Sequence, residues 1–333
     1  MSRIAILCPG RGSYTERALR SLPPDHPFVS RAEALREEYG LQSLVSLDHA
    51  PKFDQRLHLA PANVSPLIWL VTMLDAAGAA KLHEVTCVTG NSMGWYTALA
   101  VGGALSFDDG FRLVQEMAIL QQEAASETGG GQVIYPTIDD EWRPDPERRA
   151  TVAAALANSN GEAFPSIELG GYAVLAGTES GMTHLLRALP SIKLGSTPYP
   201  FRLMQHGPYH TQLCAPVAAR ARERLAKLEF HRPSMTLIDG RGVRHSPWSA
   251  SAQALRDYTF GNQIVEPYDF SKSVRVALRE HAPEHLVLPG PGNTLGGVCG
   301  QILIAEGWHG LTSRTDFAKA HEGDSGIVLS MRR

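Results

Sequence analysis

The chain has 333 residues, of which 43% are hydrophobic and 20% charged, the composition of an ordinary globular protein rather than of a disordered or low-complexity chain. Its 31 basic and 34 acidic side chains leave a net charge of -3, without the basic excess that binding to nucleic acid requires. The longest apolar stretch, 66–74, is far shorter than the roughly 20 residues that span a bilayer, and the apolar run behind Met1 is too short for a signal peptide. We therefore expect a cytoplasmic protein that binds neither nucleic acid nor membrane.

The N-terminal part of the chain predicts strands of a parallel sheet that alternate with helices. The apolar runs 4–8 and 85–89 stop at Pro9-Gly10 and Gly90, as buried strands do where they enter a glycine turn. Segments of helical length and composition lie at 66–82, 93–105 and 111–125. Ser106 is placed to cap the last of these helices.

Three consecutive glycines, 129–131, mark a change of pattern, since residues without a Cβ leave the backbone weakly constrained. Beyond them, predicted strands at 133–138, 166–169, 172–176 and 197–203 are interleaved with predicted helices at 146–156 and 181–189. This β-α-β-β-α-β order is that of the ferredoxin-like split β-α-β motif. We therefore predict an α/β fold in which residues 1–128 and 205–333 form a large domain around a mostly parallel sheet. Residues 129–204 would form a small inserted subdomain.

The cysteines and the closely spaced histidines give no sign of a metal site. No C-x-x-C pair occurs among Cys8, Cys87, Cys214 and Cys299, so neither a disulfide framework nor a zinc site is predicted. His281 and His285 stand four residues apart, but Pro283 between them spoils a helical metal pair. We expect four buried thiols.

One sequence motif carries chemistry. Gly90-Asn91-Ser92-Met93-Gly94 is the only G-x-S-x-G sequence in the chain, and it lies between a predicted strand and a predicted helix. At such a turn the glycines let backbone approach closely, and the serine hydroxyl projects beyond the sheet. The backbone N–H of Met93, at the start of the helix, is placed to stabilise an oxyanion. Ser92 is therefore a predicted nucleophile.

A serine nucleophile needs a base, and spacing alone does not choose among the 13 histidines. Several sequence blocks resemble the malonyl-CoA:acyl carrier protein transacylase family, the acyltransferases of fatty-acid and polyketide synthesis. In order, they are Pro9-Gly10-Arg11-Gly12-Ser13 beside P-G-Q-G-S, Gly90 to Gly94 beside G-H-S-x-G, Gly207-Pro208-Tyr209-His210 beside the histidine block, and Gly290-Pro291-Gly292 beside G-P-G. A weaker block, Gln263-Ile264-Val265-Glu266-Pro267, resembles Q-L-Y-N-P.

The resemblance implies an α/β-hydrolase-like large domain with a ferredoxin-like subdomain, and it assigns roles to residues. Ser92 would be the nucleophile, His210 the general base, and the backbone carbonyl of Gln263 would orient the imidazole. The backbone N–H groups of Arg11 and Met93 would bind the oxyanion. An acyl group would pass from acyl-CoA, through a Ser92 ester, to the phosphopantetheine thiol of an acyl carrier protein, with no metal or organic cofactor.

The chain departs from the family at the residue that holds a malonyl carboxylate. Malonyl-specific members have an arginine 25 residues after the nucleophile, and Met117 stands there in this chain. Because a carboxylate buried without a partner is costly, we expect a neutral acyl group instead. The alternative is that another cation replaces the arginine, and Arg11, Arg112 and Arg202 are the candidates.

Three further residues are weaker candidates for substrate binding. Asn91 stands where the family has histidine, and Trp95 where it has glutamate, so Trp95 either shapes the acyl pocket or packs against the subdomain. Asn160, with Asn158, matches an asparagine pair that faces the cleft in the family.

Other functions remain open at this point. A hydrolase that removes acyl groups from carrier proteins in polyketide biosynthesis would use the same serine ester, with water in place of the thiol. An esterase with a conventional triad would pair Asp239 or Asp257 with His309 or His321. A binding module without activity is the remaining alternative, which the presence of Ser92 and His210 disfavours.

Overall fold

A computed structural model describes residues 1–321 and 326–332 of the chain. Residues 322–325 and 333, which belong to the predicted large domain, lie outside the described residues. Within this part the strands, in chain order, are β1 (Arg3–Cys8), β2 (Glu84–Gly90), β3 (Gly131–Pro136), β4 (Ala163–Leu169), β5 (Tyr172–Gly177), β6 (Ile192–Leu194), β7 (Thr197–Tyr199), β8 (Phe201–Arg202), β9 (Leu237–Ile238), β10 (Arg244–His245), β11 (Tyr268–Asp269), β12 (His285–Leu288) and β13 (Val328–Ser330).

The helices surround these strands. In chain order they are α1 (Pro27–Glu37), α2 (Leu44–Asp48), α3 (Gln55–His58), α4 (Pro61–Leu82), α5 (Gly94–Val101), α6 (Phe107–Thr128), α7 (Pro146–Ala157), α8 (Glu179–Ala188), α9 (Ala215–Arg224), α10 (Ala252–Thr259), α11 (Asn262–Val265), α12 (Phe270–Val276), α13 (Thr294–Ala305) and α14 (Arg314–Ala320). Short 3₁₀ turns lie at Glu16–Ala18, Gln212–Cys214 and Trp308–Gly310, and a π turn lies at Ala277–His281.

The large domain is built on a sheet with the strand order β10-β9-β2-β1-β12-β13. The neighbours from β9 to β13 pair in parallel, and β10 alone is antiparallel, at one edge. Every residue from Ile4 to Cys8 in β1 is fully buried, as expected of a strand whose two faces are both covered by helices. The predicted strand–glycine turns after β1 and β2 are therefore confirmed.

The second sheet has the order β11-β4-β5-β3-β8. Its four strands β3, β4, β5 and β8, with α7 and α8, have the order and antiparallel pairing of the ferredoxin-like motif, which confirms that prediction. The edge strand β11 comes from the large domain and pairs in parallel with β4, Tyr268 beside Ile167. The large domain and the inserted subdomain are thus joined by strand pairing as well as by the continuous chain.

The long helices α4 and α6 pack against each other beside the main sheet. By length and composition α4 is the one helix among the described residues that could cross a membrane, but 72% of its most apolar window is buried inside the fold. Ser106 caps α6 as predicted, because its side chain accepts a hydrogen bond from the N–H of Asp109. The helix predicted to reach residue 105 ends at Val101, since Gly102 follows and Gly103 has a left-handed φ of +74°.

The four cysteines are free and buried, as predicted.

Candidate active site

The turn between β2 and α5 presents Ser92 at the carboxyl end of β2, an internal strand of the main sheet. Ser92 has a left-handed φ of +54°, an unusual backbone conformation for a residue with a side chain. A Cβ on Gly90 would lie 2.2 Å from the backbone of Gly94, and one on Gly94 would lie 2.2 Å from the carbonyl oxygen of Cys8. Both glycines of the motif are therefore required by close backbone approach.

Ser92 and His210, which are distant in sequence, meet in a hydrogen-bonded pair. The Oγ of Ser92 is 2.8 Å from Nε2 of His210. On the other side of the ring, Nδ1 is 2.7 Å from the backbone carbonyl oxygen of Gln263. A carbonyl only accepts, so Nδ1 carries the proton and donates it, and Nε2 is left to accept the hydrogen bond from Ser92.

The backbone and side chain of Gln263 both support this pair. The N–H of His210 donates to the carbonyl of Ile264 over 2.9 Å, which holds the histidine against the short helix α11. The side-chain Oε1 of Gln263 accepts from the hydroxyl of Tyr96 at 2.7 Å, and its Nε2 donates to the carbonyl of Ser92 at 3.2 Å. Gln263 thus connects the serine turn to the histidine loop.

The environment of His210 keeps its imidazole neutral. His210 is 1% exposed, and burial lowers its pKa to about 4, while the hydrogen bond to the Gln263 carbonyl opposes the shift. The imidazole is therefore unprotonated at neutral pH and can accept a proton from Ser92.

Two backbone N–H groups beside Ser92 are free to bind an oxyanion. Arg11 and Met93 both line the cavity at Ser92, and the amide N–H of neither donates a hydrogen bond within residues 1–321 and 326–332. Free amide donors are suited to a developing negative charge, and that of Met93 also lies at the start of α5.

A cavity of about 340 Å³ opens beside Ser92, between the large domain and the second sheet. One wall is helical and is formed by Val114, Met117 and Ala118 of α6, and the opposite wall is the sheet, with Ile134, Ile167 and Val174. Asn91 also lies on the cavity, and its buried Oδ1 has no hydrogen-bond partner in the described residues. The cavity is mostly apolar, as expected of a pocket for an acyl group.

Two of the residues predicted to bind substrate, Trp95 and Asn160, do not line the cavity. Trp95 is fully buried in the large domain, where its indole N–H donates to Thr259 Oγ1 at 3.0 Å and its ring packs on Tyr258. These partners belong to α10, so the indole is directed toward that helix. Asn160 is exposed, at the end of the subdomain helix α7. That helix packs on the face of the second sheet that is turned away from the cavity.

The three arginines that could substitute for the family's arginine at position 117 lie in different parts of the structure. Arg112 pairs with Glu38 and Asp109 on the outer surface of α6. Arg202 donates to both carboxylate oxygens of Glu179 and to the carbonyl of Gly130. Among these candidates, Arg11 alone lines the cavity.

The conventional triad that the sequence left open does not form. The carboxylate of Asp239 is bound by Arg241 and His245, and Asp257 accepts from Gln253. His309 is exposed, and both ring nitrogens of His321 are bonded within its own C-terminal segment. In the described part of the chain, no group of three His, Cys, Asp or Glu side chains could hold a metal ion.

Sequence reasoning missed three tyrosines around the pair. Tyr96 lies one helical turn after Ser92, a spacing that could have predicted its place beside the nucleophile. Tyr209 lines the cavity next to His210. The hydroxyl of Tyr268 donates to the carbonyl of Gly90, and its ring centre is 5.3 Å from that of His210. Tyr268 could not be predicted, since its place depends on the two-residue strand β11.

This geometry defines a class of protein. A serine hydroxyl that donates to a neutral imidazole, beside two free amide N–H groups and an apolar cavity, is the arrangement that forms acyl-serine esters. The α/β fold with a ferredoxin-like subdomain carries this arrangement at the end of a parallel strand.

Comparison with known proteins confirms the family resemblance, although no family model matches the chain. The chain is 26% identical over 309 residues to the malonyl CoA-acyl carrier protein transacylase of Salmonella typhimurium. The aligned region covers 91% of this chain and 94% of that protein. An acyl carrier protein S-malonyltransferase from Vibrio cholerae has a similar structure, with a TM-score of 0.75 and 20% identity over 98% of this chain and 96% of that one.

A further solved structure, described as a type II PKS acyl-carrier protein in complex with its malonyl-transacylase, gives a TM-score of 0.75 at 19% identity. That comparison covers 100% of this chain and 96% of the other. The resemblance to the transacylase family and the α/β fold with its ferredoxin-like subdomain are both confirmed.

Proposed function

We propose that the chain is an acyl-CoA:acyl carrier protein S-acyltransferase that works through a Ser92 ester. The observation that carries the proposal is the hydrogen-bonded series from Ser92 Oγ through His210 to the Gln263 carbonyl, at 2.8 Å and 2.7 Å, on the wall of an apolar cavity. The carrier protein and the thioester donor come from the names of the relatives, which are malonyl CoA-acyl carrier protein transacylases.

In the first half of the reaction, His210 Nε2 takes the proton of Ser92 as Oγ attacks the thioester carbonyl. The N–H groups of Arg11 and Met93 stabilise the tetrahedral oxyanion. The carbon–sulfur bond then breaks, the proton passes from His210 to the leaving coenzyme A sulfur, and the acyl group remains as an ester on Ser92.

In the second half, the phosphopantetheine thiol of the carrier protein gives its proton to His210 and attacks the ester. The new carbon–sulfur bond forms, the bond to Ser92 breaks, and the proton returns to Oγ. We propose that these residues suffice, with no metal or organic cofactor, and that the protein acts in the cytoplasm.

The second candidate function is an acyl hydrolase, in which water replaces the carrier thiol in the second half. The same Ser92 and His210 would serve, since only the nucleophile that reaches the ester differs. Measuring free acid against acylated carrier protein, after the ester has formed, distinguishes the two functions.

Residue 117 bears on which acyl group is moved. Met117 is buried in the helical wall of the cavity and offers a thioether where a malonyl-selective site would need a cation. This wall therefore favours the neutral part of an acyl group. Judged from Met117 alone, the transferred acyl groups should be neutral. The alternative, in which another cation binds an acyl carboxylate, depends on Arg11.

The experiment that tests the proposed function follows the acyl group by intact mass. The protein is incubated with a panel of acyl-CoA thioesters and then with a phosphopantetheinylated carrier protein. We expect one acyl group on the protein and its later appearance on the carrier. Ser92→Ala should abolish the adduct, and His210→Ala should slow its formation by about 10²- to 10⁴-fold, the usual contribution of a general base.

The matched controls for these two variants are substitutions of exposed residues far from the pair. Ser46→Ala and His309→Gln change the same residue types at exposed positions and should acylate at the unaltered rate. Acylation of Ser92→Ala at the unaltered rate would refute the proposal.

A further inference from the structure

The guanidinium of Arg11 lies beside the catalytic cavity with most of its hydrogen-bonding capacity unused. Its Nη2 donates to the carbonyl of Gln205. Its Nε and Nη1 are buried and have no hydrogen-bond partner among the described residues. Burial lowers the pKa of Arg11 to about 10, so the group still carries a positive charge at neutral pH.

A second unpaired donor lies on the same wall. The hydroxyl of Tyr209 is buried without a partner in the described part of the chain, and Tyr209 interacts electrostatically with the Arg11 guanidinium. Both residues line the cavity that contains Ser92 and His210. A buried cation and a buried hydroxyl without acceptors are unfavourable, so their presence side by side calls for an acceptor that enters with the ligand.

We propose that Arg11 and Tyr209 bind a free carboxylate on the acyl group, so that the transferred group is an acidic acyl chain, of which malonyl is the shortest. The proposal rests on the proposed function and names its substrate class. The cation that binds the acyl carboxylate would then be at position 11, after β1, instead of at position 117 on α6.

The chemistry of the donors supports a carboxylate over a neutral group. The Nε and Nη1 of a guanidinium and a phenolic oxygen are three donor atoms beside a positive charge, which a two-oxygen anion satisfies and a neutral carbonyl does not. Nε and Nη1 are closed to water in this structure, so the proposal requires the guanidinium to turn toward the cavity when the carboxylate binds. The apolar Met117 wall then packs against the methylene part of the acyl chain.

The experiment compares acidic with neutral thioesters as donors to Ser92. Malonyl-, succinyl- and glutaryl-CoA are measured against acetyl-, butyryl- and hexanoyl-CoA, and kcat/KM for formation of the Ser92 ester is determined by intact mass. We expect an acidic donor to be preferred. Arg11→Gln should lower the ratio of acidic to neutral kcat/KM by roughly 10- to 100-fold, and Tyr209→Phe by about 3- to 10-fold.

The ratio separates selectivity from stability. Arg11→Gln keeps the backbone N–H, so neutral donors report whether the variant still folds and acylates. Arg112→Gln is the matched control, because it removes a surface arginine of α6 and should leave the ratio unchanged. The double variant Arg11→Gln, Met117→Arg should regain part of the preference for acidic donors.

Two results would overturn the inference while leaving the proposed function intact: a preference of the unaltered protein for neutral donors, or an unchanged ratio in Arg11→Gln. Failure of every thioester to acylate Ser92 would overturn the proposed function as well.

Discussion

A backbone carbonyl orients the imidazole of His210, in the position where many serine enzymes use a carboxylate. The carbonyl of Gln263 fixes the tautomer through a 2.7 Å hydrogen bond but brings no full negative charge. That hydrogen bond only partly offsets the effect of burial, which lowers the pKa of His210 to about 4.

This low pKa predicts an unusual pH dependence for the acylation of Ser92. As the pH falls, Nε2 becomes protonated and can no longer accept the serine proton, so the rate falls through the pKa of the histidine. We expect kcat/KM to stay level from pH 8 to about 5 and to fall by half near pH 4. Rapid-quench measurement of the acyl-enzyme checks this, with circular dichroism at each pH as the control for folding. A half-maximal rate near pH 6.5 would contradict it.

Single residues show where sequence reasoning succeeds and where it stops. The G-x-S-x-G motif located Ser92 because steric demand ties glycines to the turn, and the geometry brings His210 and Gln263 to it. Trp95 and Asn160 were predicted from position in a family pattern, without knowledge of where their side chains point. The unpaired donors of Arg11 could not be foreseen, because pairing depends on contacts between distant segments.

At the scale of elements, the turn from β2 to α5 depends on close contact with β1. A Cβ on Gly94 would meet the carbonyl of Cys8 at 2.2 Å, and both backbones are fixed by the sheet and the helix, so neither can move away. The turn, the oxyanion donor Met93 and the nucleophile therefore depend on the same two glycines.

Gly94→Ala should consequently destabilise the fold by about 3 kcal/mol or more, the range of severe steric substitutions. The matched control is Gly78→Ala on the helix α4, where an added Cβ meets nothing within 4 Å. That substitution should stabilise the protein by about 0.5 to 1 kcal/mol, because alanine favours a helix over glycine. Urea unfolding measures both. Equal midpoints for the two variants would show that the contact with Cys8 is unimportant.

The elements of the fold were predictable to different degrees. Strands that end in glycine, the capped helix α6 and the β-α-β-β-α-β order are local patterns, and the structure confirms them. The strand β11 spans two residues and is defined only by its pairing with β4, so no local pattern announces it. The sheet wall of the cavity was also missed, because both faces of the second sheet are apolar and alternation cannot tell them apart.

At the scale of the whole molecule, two histidines with lowered pKa values make the stability of the fold depend on pH. Burial lowers the pKa of His206 to about 3 and that of His210 to about 4, whereas both titrate near 6.5 in the unfolded chain. Below about pH 6.5 the unfolded chain takes up protons that the folded chain does not. The free energy of unfolding therefore decreases as the pH falls from about 6.5 toward 4.

We expect the melting temperature to fall steadily between pH 7 and pH 4.5, and to fall less in His206→Gln, which removes one of the two groups. Thermal unfolding followed by circular dichroism in a buffer series measures this. His309→Gln, at an exposed position, is the control and should keep the full slope. The explanation fails if His206→Gln and the unaltered protein lose the same number of degrees.

The large domain and the second sheet meet at the cavity, and the catalytic pair lies on the side of the large domain. Ser92, His210 and Gln263 all belong to the large domain, and the second sheet contributes apolar wall. The division of the chain at residues 129 and 204 stays a prediction, because β11 of the large domain is also part of the second sheet.

Ser92 and His210 share one further property, since both have a left-handed backbone, with φ of +54° and +60°. Each such conformation costs roughly 1 to 2 kcal/mol for a residue with a side chain, and the folded chain supplies that energy before any thioester arrives. The nucleophile and its base are consequently ready in the resting protein between turnovers. Binding of the thioester therefore does not have to assemble the reacting atoms, because the serine turn and the histidine loop already hold Oγ and Nε2 2.8 Å apart.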